Sequence, residues 1–121
     1  MVPVTLTRLD DIIKLAGRRD ARQPRSNGYF VLERPGYALG ERLRVTYRVR
    51  GTARAGRDYR RLDGVATFRP GARTTREVVR VINRKGTQGP KVVKVRLTRG
   101  TGYTVGRPGA TRVVIRDART R

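Results

Sequence analysis

Arg42, Arg44, Arg48 and Arg50 recur at alternate positions of the run RLRVTYRVR. Thr46 completes their series, and Leu43, Val45, Tyr47 and Val49 stand between them. Side chains of a strand alternate faces with period two. The run therefore predicts a half-buried strand whose inner face is apolar and whose open face carries guanidiniums about 6.5–7 Å apart. A guanidinium is permanently charged, and its planar fork of donors matches phosphate and carboxylate oxygens. The implied chemistry is anion binding. The alternative is a solvated outer face, but like charges in one row repel, and solubility alone is served by mixed signs.

Further cations follow the same rule. Lys94 and Arg96 fall on the polar side of Lys91–Thr98, opposite Val93, Val95 and Leu97. Arg112 and Arg116 do so in Ala110–Arg116, opposite Val113 and Ile115. A second group, Arg54, Arg57, Arg84 and Lys85, lies in glycine-bearing connections and predicts a basic loop cluster. Tyr37, Tyr59 and Tyr103 are either stacking platforms or core residues. Aromatics make up 6% of the chain, too few for a single-strand reader built on stacked bases.

Thirty Lys+Arg against nine Asp+Glu give a net charge of +21, so the chain repels itself and is drawn to polyanions. Histidine and cysteine are both lacking, which removes the usual general base, disulfides and the commonest metal ligands. No paired carboxylates or Ser/Lys pair fall in a catalytic frame, so the expectation is a non-enzyme without a cofactor. No apolar run approaches the roughly 20 residues of a membrane span. The beginning of the sequence carries no basic region followed by an apolar stretch. The expectation is therefore cytoplasmic synthesis, with the virion as one destination.

The elements that must hold these cations are short. Val2–Thr7, Tyr29–Glu33, Arg42–Arg50, Val65–Phe68, Arg76–Ile82, Lys91–Thr98 and Ala110–Arg116 read as strands, separated by glycine- and proline-bearing turns. Apolar residues on both faces of 76–82 predict a central or covered strand. Residues 9–16 read either as one short helical turn or as a continued, kinked edge strand. Residues 17–27 read as a mobile basic loop, 100–109 as a turn-rich connection and 118–121 as a short basic tail. The fold class predicted is all-β: a single domain, 1–121, built as an antiparallel immunoglobulin-like sandwich of about seven strands.

Three runs resemble one family in order. VTYRVRGTARAGRDY, Val45–Tyr59, is similar to the central strand and turn of Calx-beta domains, the immunoglobulin-like modules named after sodium–calcium exchangers. LDGVATFRPGARTTREVVRV, Leu62–Val81, and TGYTVGRPGATRVVIRD, Thr101–Asp117, resemble the family's middle segment and terminal hairpin. The likeness covers residues 29–117. It implies a calcium site of clustered acids at one end of the sandwich, where calcium takes about six to eight oxygen ligands. The family's acid-rich loop corresponds here to Asn83–Lys91, which holds no acid. Arg50 and Ala118 stand where the family often has acids. Asp58 and Asp117 remain, with Asp10 or Asp11 nearby. The resemblance thus implies a retained fold, no metal and an end of inverted sign.

The first functional expectation is an interaction module that docks an Arg-rich surface onto an acidic surface of a larger assembly, such as a virus capsid. The second is a nucleic-acid-binding protein held by phosphate contacts without sequence readout. The third is adhesion to an acidic polysaccharide.

Overall fold

The computed structural model describes residues 11–35, 41–84 and 88–118. The strand expected at Val2–Thr7, the residues Leu9, Asp10, Tyr37 and Lys85, and positions 119–121 of the tail lie outside them. The described residues form nine strands: β1 Asp11–Arg19, β2 Ala21–Arg22, β3 Gly28–Glu33, β4 Leu43–Arg50, β5 Val65–Phe68, β6 Thr74–Val79, β7 Lys91–Leu97, β8 Tyr103–Val105 and β9 Ala110–Arg116. They make two sheets, ordered β6-β3-β1-β8 and β2-β9-β7-β4-β5.

The period-two patterns are realised as core. Phe30 and Leu32 of β3, Val45 and Tyr47 of β4, Val93, Val95 and Leu97 of β7, and Val113 and Ile115 of β9 are all buried. Phe30 meets Tyr47 edge to face, with centroids 5.3 Å apart at 84°, the geometry that ring quadrupoles favour. The Tyr47 hydroxyl donates to Glu77 Oε1 of β6 across the sandwich at 2.7 Å. Burial and the Glu77 carboxylate push the Tyr47 phenol far up, so it stays protonated as that donor. Tyr59 and Tyr103 are core residues.

Several expectations are corrected. Residues 11–19 are strand rather than a helical turn. Ile13 and Leu15 face the core while Ile12 and Lys14 face out, and β1 pairs on both sides, with β3 antiparallel and β8 parallel. Two-sided pairing overrides the local capping signal. The strand is kinked by a register shift between Leu15 and Gly17, as the alternative reading had it, but it is interior rather than an edge.

Residues 17–27 are not one loop. Gly17–Arg19 complete β1, Asp20 carries the chain from one sheet to the other, and β2 pairs parallel with β9. Ala21 and Gln23 are buried there. Gly28 is required beneath this crossing, because a Cβ would come within 2.6 Å of the Arg19 carbonyl oxygen. Two parallel pairings make the sheets mixed rather than purely antiparallel. The strand expected at 76–82, central or covered, is an edge, β6, and begins at Thr74. Its second apolar pair lies beyond the strand, where Val81 bridges Tyr59. The connection 100–109 contains β8.

Arg34 joins the two sheets from inside, only 2% exposed. Its Nε donates to the Ala72 carbonyl at 2.7 Å, Nη1 to that of Glu41 at 2.8 Å and Nη2 to that of Arg69 at 3.0 Å. Its plane lies over the Phe68 ring, 5.0 Å from the centroid. These bonds fix the turn between β5 and β6. Arg34→Ala leaves the Glu41, Arg69 and Ala72 carbonyls without these donors and is expected to lose about 3 kcal/mol or more, read as the shift in urea midpoint. Arg34→Lys keeps the charge without the planar fork and is expected to recover only part of this loss.

Candidate anion-binding face

The outward positions of β4, β7 and β9 form one surface. Arg44, Thr46, Arg48 and Arg50 are exposed on β4, with Val45 and Tyr47 turned to the core. β7 lies between β4 and β9, and its register sets Arg96 beside Arg48, and Lys94 beside Arg50. On its other side Lys94 faces Arg112, and Arg96 faces Ala110. A continuous row Arg50–Lys94–Arg112 thus crosses three strands, and Arg48–Arg96 runs beside it. Adjacent strands are about 4.8 Å apart. An open groove of about 1190 Å³ lies over these rows and takes in Arg18 and Arg99. Among the described residues, no carboxylate lines it.

Gly51 ends β4 at a φ of 118°, and a Cβ there would collide with the Val92 carbonyl oxygen. That close approach lets Ala53 N–H donate to the same oxygen at 3.0 Å, while the Val92 N–H donates to the Thr52 hydroxyl at 2.9 Å. The Gly-Thr-Ala turn thereby ties the end of β4 to the start of β7 and fixes the cationic rows against one another.

The other candidates are distributed differently. Arg42 lies before β4 and lines a separate cavity of about 570 Å³ with Asp63 and Glu77. Arg54 and Arg57 are exposed in the turn after β4. Arg116 approaches Asp20 at 3.3 Å. Asp20 also takes a bond from Arg18 at 2.6 Å and one from the Val114 N–H at 3.0 Å. Arg18 in turn donates to the Arg112 carbonyl at 3.2 Å, which brings it to the groove's rim. Sequence reasoning missed this role because Arg18 belongs to the opposite sheet. It missed Arg99 because that residue lies one position past the predicted strand.

At the sandwich end, Asp58 is 2% exposed. Its Oδ1 accepts from Arg84 Nη1 at 2.7 Å and its Oδ2 from the Arg54 N–H at 2.7 Å. Burial alone would raise the Asp58 pKa, but the Arg54 N–H and the Arg84 guanidinium outweigh it and hold the carboxyl below its ordinary value. Asp117 accepts from the N–H groups of Gln88 at 2.8 Å and Gly89 at 2.9 Å. Among the described residues, no three acidic, histidine or cysteine side chains gather to hold a metal ion.

No family model matches the sequence, and no curated protein is significantly similar to it. Solved structures do match. The calcium-binding domain CBD12 of CALX1.1 superposes with a TM-score of 0.71 at 22% identity, over 87% of this chain and 44% of that one. CBD12 from CALX1.2 gives 0.72 at 21%, with the same coverage. The apo-form Calx CBD1 domain gives 0.68 at 22%, over 89% of this chain and 99% of that one. The chain has the Calx-type fold. It spans less than half the length of the two CBD12 chains.

Within the Calx-type fold, this chain's two remaining end acids are bonded internally, Asp58 to a guanidinium and Asp117 to backbone. Melting curves in about millimolar calcium and in excess chelator are expected to coincide. A rise of several degrees with calcium would contradict this assignment.

The Asp58–Arg84 pair also sets a pH dependence. The folded-state pKa of Asp58 is depressed. Its contribution is therefore complete above the unfolded value of about 3.9 and disappears as pH falls through the folded value. Glu77 acts oppositely: burial raises its pKa, with Asp63 adding to the rise and the Tyr47 hydrogen bond opposing it. Stability from Glu77 therefore declines as pH rises from about 4.3 through that raised value. Arg84→Gln leaves a buried carboxylate without its cation and is expected to lose about 3 kcal/mol at pH 7. Asp58→Asn is expected to flatten the acid limb of the urea-midpoint profile.

Proposed function

We propose that the chain is a non-enzymatic docking module whose five-stranded sheet presents a rigid cationic face to an anionic surface of a larger assembly. The supporting observation is the register of β4, β7 and β9. Arg48 faces Arg96, Arg50 faces Lys94, and Lys94 faces Arg112. Like charges directly opposite one another on a sheet are destabilising, by about 0.2–1 kcal/mol per pair. A fold that keeps three such contacts on one open face carries a stability cost that an anionic partner removes on binding. The Calx CBD12 domain of CALX1.1 is a calcium-binding domain. For this chain the ligand proposed is an anion, taken on the sheet.

Rigidity favours the sheet over the loops. The guanidiniums of β4 stand on a strand anchored by Val45 and Tyr47, so less ordering is needed on binding than in a glycine-bearing turn. Two measurements check the reading. Lys94→Gln, which relieves two repulsions, is expected to raise the melting temperature of the free protein at low salt, and added salt is expected to shrink the gain. Polyanions at saturating concentration are expected to stabilise the wild-type protein by about 2–3 kcal/mol. They should do much less for the Arg48→Gln/Arg50→Gln/Arg96→Gln variant. If no polyanion shifts the melting curve, the face is only a solvated surface.

A further inference from the structure

We infer that the anionic partner is the phosphodiester backbone of a nucleic-acid duplex, bound without sequence readout. This rests on the docking proposal above and names its partner.

The first ground is the make-up of the face. A protein–protein interface has an apolar core depleted of charge, with charged residues at its rim. Here the order is reversed. The middle of the surface is the row Arg50–Lys94–Arg112 with Arg48 and Arg96 beside it, and no aromatic side chain among the described residues lines the groove. Among the described residues the exposed large hydrophobic residue is Ile12, on the other sheet. A centre in which seven of the twelve groove-lining residues are cationic matches protein–nucleic acid interfaces, which are more polar and far more positive.

The second ground is charge density. Two rows across three strands root five cationic side chains within roughly 7 Å by 10 Å of backbone. A duplex offers one negative charge per about 1.7 Å of axis and can neutralise such a grid. Four of the five cations are arginine, whose fork fits phosphate oxygens bidentately.

The third ground separates duplex from single strand. Proteins that hold single strands without sequence preference stack bases on aromatic side chains. Phe30, Phe68, Tyr47, Tyr59 and Tyr103 are all buried, and Tyr29 lies under Arg76 on the opposite sheet. A duplex keeps its bases stacked within and displays phosphates outside, so it needs no platform. Reading base edges takes an element that enters the major groove. The cations here stand on the face of a five-stranded sheet rather than on a projecting helix or ribbon. Phosphate contacts alone position a protein without specifying sequence.

The test uses the full chain with two labelled DNA duplexes of unrelated sequence, one of their single strands, and polyglutamate of matched charge, across a salt series. Both duplexes are expected to bind equally, at least about tenfold more tightly than the strand or polyglutamate, with log K falling against log salt at a slope near −4, about 0.9 per phosphate contacted. Arg48→Gln/Arg50→Gln/Arg96→Gln is expected to weaken both duplexes alike and to reduce the slope by about 2–3. Arg60→Gln/Arg61→Gln/Arg80→Gln removes the same charge from exposed positions outside this face and is expected to change the slope by less than about 1. Circular dichroism melts establish that both variants are folded. Polyglutamate bound as tightly as duplex would overturn the inference and leave the docking proposal standing, with an acidic protein as partner. Preference for the single strand would overturn it too. Equal losses in the two triple variants would assign binding to net charge rather than to this face, and overturn it. No binding to any of the four probes would overturn both.

Discussion

The two sheets cohere through a single apolar layer, and the outward placement of the strand cations follows from it. Phe30, Leu32, Val45, Val93, Val95, Val113 and Ile115 are almost wholly withdrawn from solvent. Each belongs to a strand whose alternate residues must therefore face outwards. In a chain with thirty basic residues those outward positions are filled largely by arginine and lysine. Burial of the inner face thus holds the cations in register against their mutual repulsion. At about 25 cal/mol per Å² of apolar surface, one buried valine or leucine outweighs one like-charge contact on the sheet.

The few acids are used where the backbone or the core requires them. Asp20 caps the Val114 N–H at the crossing between sheets and holds Arg18 and Arg116. Asp58 accepts an N–H from the turn after β4 and a guanidinium from Arg84. Asp117 closes two N–H groups before β7. These are internal bonds that organise turns. The broad cationic rows on β4, β7 and β9 have no such partners among the described residues lining the groove. The surface therefore divides into a compensated rim and an uncompensated centre, and the centre is the part available to an external anion.

Arg34 and Arg84 show how the same residue type serves opposite ends. Arg34 is enclosed, its donors directed at carbonyls and its plane on Phe68. Arg84 is half-buried against a carboxylate. The two environments differ from the cationic face in what the fold brings beside the guanidinium: carbonyls and a ring for Arg34, a carboxylate for Arg84.

The alternation in Leu43–Arg50, Lys91–Leu97 and Ala110–Arg116 was legible in the sequence, because period-two burial is a property of each strand alone. The turn residues and the three ordered runs were enough to indicate a Calx-type sandwich. At 9–16 the sequence left a helical turn and a kinked edge strand both open, and the loop at 17–27 was misread. Ile13, Leu15 and Ala21 are held extended by partners remote in sequence, β3, β8 and β9, which no local pattern announces. The chain also could not show that its cations meet. Arg50, Lys94 and Arg112 are separated by more than forty and then nearly twenty residues. They form one row only because β7 is inserted between β4 and β9 in a fixed register. Which residues face outwards is decided by side-chain polarity along a strand; which of them become neighbours is decided by strand order, and that is a tertiary outcome of how the two sheets bury their inner faces.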